Sequence, residues 1–129
     1  MRASLKKTAL MLITFACAVA PARPETPPVR SEGDILVDAD GRSLYTFDRD
    51  PENEGKSVCY GLCANSWPPL KASGGDEGVG DFSIIKRTDG TMQWAYKGKP
   101  LYYWAKDRKP GDTKGDGIYD VWHLARHAH

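Results

Sequence analysis

Beyond residue 33 the hydrophobic positions come in short runs broken by turns that carry aspartate and glycine, and no segment there sustains the helical period of about 3.6 residues. Residues 35–50 begin as one apolar strand, turn at Asp40-Gly41 and return as a strand rich in aromatic residues. Residues 92–107 repeat the design about Lys97-Gly98, and glycine at such a place supplies the positive φ that a tight hairpin demands. Another turn at Asp89-Gly90 separates two further strands. The second half therefore predicts a meander over 82–87, 91–97 and 101–105, with a last strand over 119–124. The chain reads as all-β, a small antiparallel domain of hairpins with long loops. Because successive strand residues face opposite ways, Tyr45 and Phe47 share one face and Tyr102 and Trp104 share the equivalent one. With Trp67, Trp94 and Trp122 these rings are expected to fill much of a core poor in aliphatic side chains.

The two hairpins are copies of one another. ILVDADGRSLYTFDRD (residues 35–50) aligns without a gap on MQWAYKGKPLYYWAKD (92–107) at an offset of 57. Gly41 matches Gly98, Leu44 matches Leu101, Tyr45 matches Tyr102, Phe47 matches Trp104 and Asp50 matches Asp107. Each copy then reaches a tryptophan, Trp67 or Trp122. The predicted repeats span about 35–70 and 92–124, inside one domain over 34–124.

Length and termini fit that picture. A chain of 129 residues has room for one domain of ordinary size, roughly 100–150 residues. Residues 1–22 read as an export signal: Arg2, Lys6 and Lys7, an apolar run over 8–20, then the small residues of Ala20-Pro21-Ala22. That run is shorter than the ~20 residues a membrane span needs. Its removal leaves 15 Lys and Arg against 17 Asp and Glu, moving the formal charge from +1 to −2. The basic residues are interspersed with acidic ones, which argues against a nucleic-acid partner. Cys17 opens a second route, export followed by lipid anchoring at that cysteine, although Thr14 stands where such signals usually carry an aliphatic residue. Residues 23–33 read as a proline-rich linker that should not pack, and residues 125–129 as a histidine-bearing tail.

The pattern Gly-x-x-Leu-Tyr-x-(Phe/Trp)-x-x-Asp, standing at Tyr45-Thr46-Phe47-Asp48-Arg49-Asp50 and Tyr102-Tyr103-Trp104-Ala105-Lys106-Asp107, together with CYGLCANSWPPL (residues 59–70), resembles the bacterial "secreted repeat of unknown function" family of predicted lipoproteins. The resemblance covers about residues 34–124. It implies a small exported or surface-anchored domain, periplasmic, secreted or lipid-anchored, and carries over no catalytic or binding residue.

Several constellations invite chemistry. Cys59 and Cys63 are the cysteines left after export, and an oxidising compartment favours their pairing as a structural disulfide that fixes the turn ahead of Trp67. A redox pair or a soft-metal site are the alternatives. Asp50 and Asp107 close the two motifs and read first as turn-formers bonding amides two or three residues on, with Tyr45 and Tyr102 as further donors. A hydrolase would instead bring the two carboxylates together in one open cleft. The loops over 48–55 and 107–117 are acidic and glycine-bearing, yet neither has the ligand spacing of an EF-hand. His123, His127 and His129 fall in the last seven residues, where imidazoles can hold a metal or haem iron with help from Tyr119, Met92 or Asp120. Exposed rings on one sheet face would make a platform for sugars. These features together predict a non-enzymatic domain that binds an envelope protein or polymer, needs no cofactor, and has two rivals: a metal or haem carrier and a hydrolase.

Overall fold

The computed structural model describes residues 27–127. The signal segment, Cys17 and His129 lie outside the described residues. The elements are β1 (Val29–Glu32), β2 (Ile35–Asp38), β3 (Tyr45–Phe47), α1 (Leu62–Ser66), β4 (Lys71–Ala72), β5 (Phe82–Lys86), β6 (Met92–Tyr96), β7 (Lys99–Pro100), a 3-10 turn over Ile118–Asp120, and β8 (Trp122–Leu124). The domain is all-β, built of small antiparallel sheets: β1 with β2, β3 with β8, and β4, β5 and β7 around β6.

Three expectations need correction. The linker predicted over 23–33 ends sooner, because Val29–Glu32 pairs along its whole length with Ile35–Asp38 across a turn at Gly33, whose φ is +62°. The segment predicted as a strand over 101–105 shrinks to Tyr102, bridged to Pro69 on one side and Tyr45 on the other. Pro68 and Pro69 face it without N–H groups, so the ladder cannot extend. The last strand shortens to Trp122–Leu124, since Tyr119 and Asp120 hold φ of +52° and +58°.

The hairpins open before the aromatic strands begin. Val37 bridges Ser43 at the foot of the first hairpin, and Tyr96 pairs with Lys99 at the foot of the second. From there each aromatic strand crosses to the other repeat. Tyr45 and Tyr102 exchange both backbone hydrogen bonds, at 2.8 and 2.9 Å. Residues 45–47 of the first repeat pair with residues 124–122 of the second. Reciprocally, the Tyr103 and Ala105 amides donate to the Pro68 and Ser66 carbonyls of the first repeat. The same symmetry relates Leu70 N–H to Leu101 O with Ala125 N–H to Leu44 O, at 2.9 and 2.8 Å. The two copies thus interlock about the Tyr45–Tyr102 pair.

The core has two parts. Leu36, Leu44, Leu70, Leu101 and Ala125 surround a fully buried Trp94. Beside it lies an aromatic cluster whose rings form one column, Phe47 stacked on Trp122 (4.0 Å), Trp122 stacked on Trp67 (3.9 Å) and Trp104 tilted by 32° against Trp67 (4.2 Å). The column alternates repeats at every step. Trp67 and Trp122 are buried at its centre, while Phe47 and Trp104 are half-buried at its ends. Stacked aromatic pairs of this kind contribute roughly 0.5–1.5 kcal/mol each beyond the area they bury.

Candidate functional site

The motif aspartates sit at the starts of long loops, where the chain leaves the aromatic strand, and both are buried. Each carboxylate is bound from two directions. Asp107 accepts the Tyr45 hydroxyl at 2.5 Å and the Lys114 amide at 2.9 Å, and Asp50 accepts the Tyr102 hydroxyl at 2.6 Å and the Val58 amide at 2.8 Å. The amides lie seven and eight residues on, not two or three, so each aspartate pins a whole loop rather than a turn. Each tyrosine comes from the opposite repeat. The invariant spacing between tyrosine and aspartate within a motif therefore serves two separate bonds, each across the interface between copies. Burial holds the Asp50 carboxyl above the usual carboxylate range, against the opposing effect of its two donors and of Arg87.

Around Asp50 the network continues inward. Tyr102 also meets Ser57 at 2.7 Å, and the buried Arg87 donates to Ser57, to Gln93 and to the Cys59 carbonyl. The Arg87 guanidinium lies 4.3 Å from the Tyr60 ring centroid. Three acceptors and a ring face thus satisfy the buried cation locally, and its field opposes the rise that burial gives the Asp50 carboxyl. Cys59 and Cys63 form a disulfide that closes the loop carrying Tyr60, with Cys59 fully buried. Ile118 takes the place of Cys63 in the second repeat, and both pack against the aromatic cluster.

The acidic loops use their carboxylates in the same way. Asp112 accepts the Arg108 and Lys109 amides on one oxygen, and Asp116 accepts the Leu124 amide. Among the described residues no three of His, Cys, Asp and Glu converge as a metal-holding group. The predicted tail is docked through residue 127: Ala125 is buried, Arg126 bridges Asp34 at 2.9 Å, and the His127 amide donates to the Asp34 carbonyl. His127 stacks beside Tyr96 and His123 bonds Asp48 at 2.7 Å, while Tyr119 stands 87% exposed on its loop. The ring platform is likewise largely closed, with only the ends of the column reaching the surface.

What the sequence did not single out is an open groove along β3 and β8, with a volume of about 510 Å³. Thr46 and His123 lie directly opposite each other in the β3–β8 register, and Asp48 follows two residues on, which puts all three on one face of the ribbon. Lys97 and Lys99, flanking Gly98 at the β6–β7 turn, and Arg126 form the rim. A smaller depression of about 140 Å³, bordered by Phe47, Asp50 and Pro51, shares Thr46, Asp48 and Lys99 with it. Asp107 borders neither. The alternation marks Thr46 and Asp48 as polar positions on the face opposite Tyr45 and Phe47, but nothing in it places His123 beside them.

No helix of the described residues is long and apolar enough to cross a membrane. Comparison with curated proteins and with solved structures finds no match. The model of a family described as a secreted repeat of unknown function matches twice, over residues 28–71 and 83–126, so that each match carries one Tyr-x-aromatic-x-x-Asp motif and one of the two buried tryptophans at the centre of the column, Trp67 or Trp122. With most of its length accounted for by those two matches, the chain is an exported protein that belongs to the family of secreted repeats of unknown function.

Proposed function

We propose that this domain is a non-enzymatic binding module of the cell envelope and that the groove over β3 and β8 is its ligand seat. One contrast carries the reading. The motif carboxylates of Asp50 and Asp107 are spent on interlocking bonds, whereas the Thr46 hydroxyl and the Lys97 and Lys99 ammonium groups line open space with no hydrogen bond or ion pair among the described residues. Its volume of about 510 Å³ falls within the range of small-molecule sites, roughly 300–1,000 Å³. A saccharide or peptide segment of an envelope polymer fits the mixed polar lining.

The test is amide-resolved NMR of residues 23–129 titrated with soluble peptidoglycan fragments and with envelope glycans. Shifts confined to Thr46, Asp48, Lys99 and His123, lost in Thr46→Tyr, support the proposal. Tyrosine is the residue the other repeat carries at the matching position, Tyr103, so the variant fills the groove with a side chain the framework already accommodates. Shifts elsewhere, or none with either class, overturn it. Turnover of a glycan that disappears in Asp50→Asn would replace it with the hydrolase reading.

A further inference from the structure

The two repeats build the same groove twice. A second depression, of about 430 Å³, is bordered by Tyr103, Ala39, Asp40, Pro68, Pro69 and Lys71. At the offsets that relate the repeats, 57 before the loops and 55 after the tryptophans, these six match Thr46, Tyr96, Lys97, His123, Leu124 and Arg126 of the first groove. The framework between them is held constant, with Leu44 and Leu101, Tyr45 and Tyr102, Asp50 and Asp107, and Trp67 and Trp122 in equivalent places. The positions facing the open space differ.

The difference has a direction. In the second groove the turn reads Asp40-Gly41-Arg42, with Arg42 tied to the Asp107 carbonyl and lying over Tyr103, whose hydroxyl bonds the buried Asp38. That turn presents an uncommitted carboxylate at Asp40. In the first groove the turn reads Lys97-Gly98-Lys99, both lysines exposed. Thr46 replaces Tyr103 and leaves the floor open. Asp48 bonds His123, Asp116 accepts the Leu124 amide and Arg126 is paired with Asp34; the lining sets Lys97, Lys99 and Arg126 against Asp48 and Asp116, whereas that of the twin sets Lys71 against Asp38 and Asp40. The ammonium groups of Lys97 and Lys99 have no ion pair among the described residues, and Lys97 lies 5.8 Å from the Tyr96 ring.

We propose, resting on the binding reading above, that the β3–β8 groove takes a ligand through a phosphate or carboxylate group held by Lys97 and Lys99, and that its twin does not. Two exposed ammonium groups on one turn, with φ +48° at Lys97 and +79° at Gly98, offer charge-assisted donors to such an anion, with the Thr46 hydroxyl as a further donor. Free sugar acids and phosphate esters share that chemistry with anionic lipid headgroups.

The experiment titrates residues 23–129 with inorganic phosphate, with glucuronate, and with phosphatidylglycerol vesicles, following the groove amides by NMR. Binding should fall about tenfold in Lys97→Asp, the loss of one charge-assisted bond, and should be unaffected in Lys71→Asp, which alters charge in the twin groove. Aspartate tolerates a left-handed backbone and stands at the matching turn in the first repeat, so Lys97→Asp keeps the fold. Response to the soluble anions identifies a free ligand, and response to vesicles alone identifies a headgroup. Lack of response to all three probes overturns the inference, as does equal weakening by Lys97→Asp and Lys71→Asp, which would mean diffuse electrostatics. If an uncharged glycan of the preceding test shifts the groove amides and none of the three anionic probes does, the binding module stands and only the anionic ligand falls.

Discussion

Tyr45 and Tyr102 each send a hydroxyl across the interface between repeats to a buried carboxylate, and removing either leaves that carboxylate short of a partner. Tyr102→Phe is expected to cost about 1–3 kcal/mol, the penalty for orphaning a buried polar group. Urea unfolding of the single variants and of Tyr102→Phe with Asp50→Asn gives the coupling, which should be sizeable for residues in direct contact. The same tyrosines set an alkaline limit. Burial, and the carboxylate beside each, hold both phenols neutral well above their ordinary value of 10. Up to that pH neither distinguishes the folded from the unfolded chain. Above it the unfolded chain releases protons that the fold retains, and Tyr103, raised likewise by burial and by Asp38, adds a third, so stability falls by up to about 4 kcal/mol per pH unit. Urea midpoints at about pH 9 and about pH 11, with phenolate absorbance followed in parallel, check the slope and its sign. Asp50 acts at the other end of the scale. Its raised folded value means that its contribution is complete in acid and diminishes as the pH climbs through that value, so Asp50 does not drive acid unfolding.

At the scale of elements, the loop after each motif is short of regular structure and is held by point contacts. The Cys59–Cys63 bridge closes a very small loop, and reducing it should cost about 2 kcal/mol while leaving the β-sheets intact, measured as a shift in the guanidinium midpoint with and without dithiothreitol. Ile118 shows why the fold survives, since the second repeat reaches the same core position with an apolar side chain and no bridge. Gly115 is less forgiving. A Cβ there would lie 2.9 Å from ring atoms of both Trp67 and Tyr45, so Gly115→Ala should destabilise by about 1–3 kcal/mol in thermal unfolding. Turn chemistry made most of the elements legible: Asp40-Gly41, Asp89-Gly90 and Lys97-Gly98 all mark bends, and β5 and β6 fall where alternation put them. The misses have physical causes. Val29–Glu32 is a mostly exposed strand held by backbone pairing, which leaves no apolar pattern to read, and Pro68-Pro69 ended a ladder that the aromatic residues opposite would otherwise have continued.

For the whole molecule, the internal repeat was plain in the sequence and its exchange of strands was not, because a period of two tells which face a residue takes and nothing of which strand lies beside it. The candidate groove was hidden for the same reason: Thr46 and His123 are neighbours only once the copies interlock. The stacked column depends on that interlocking at each of its three contacts. A peptide of residues 28–71 should accordingly show no near-ultraviolet circular dichroism, and mixing it with residues 83–126 should restore part of the signal; a folded single copy would contradict the architecture described here. The interlock also sets a rule of arithmetic for any chain made of these units. Copies must be present in even number, because an unmatched one would expose two aromatic rings and a buried aspartate with nothing to receive them. A chain with one copy or three should exist only as half of a symmetrical pair, and counting copies in exported chains against their oligomeric state is the way to see whether that parity holds.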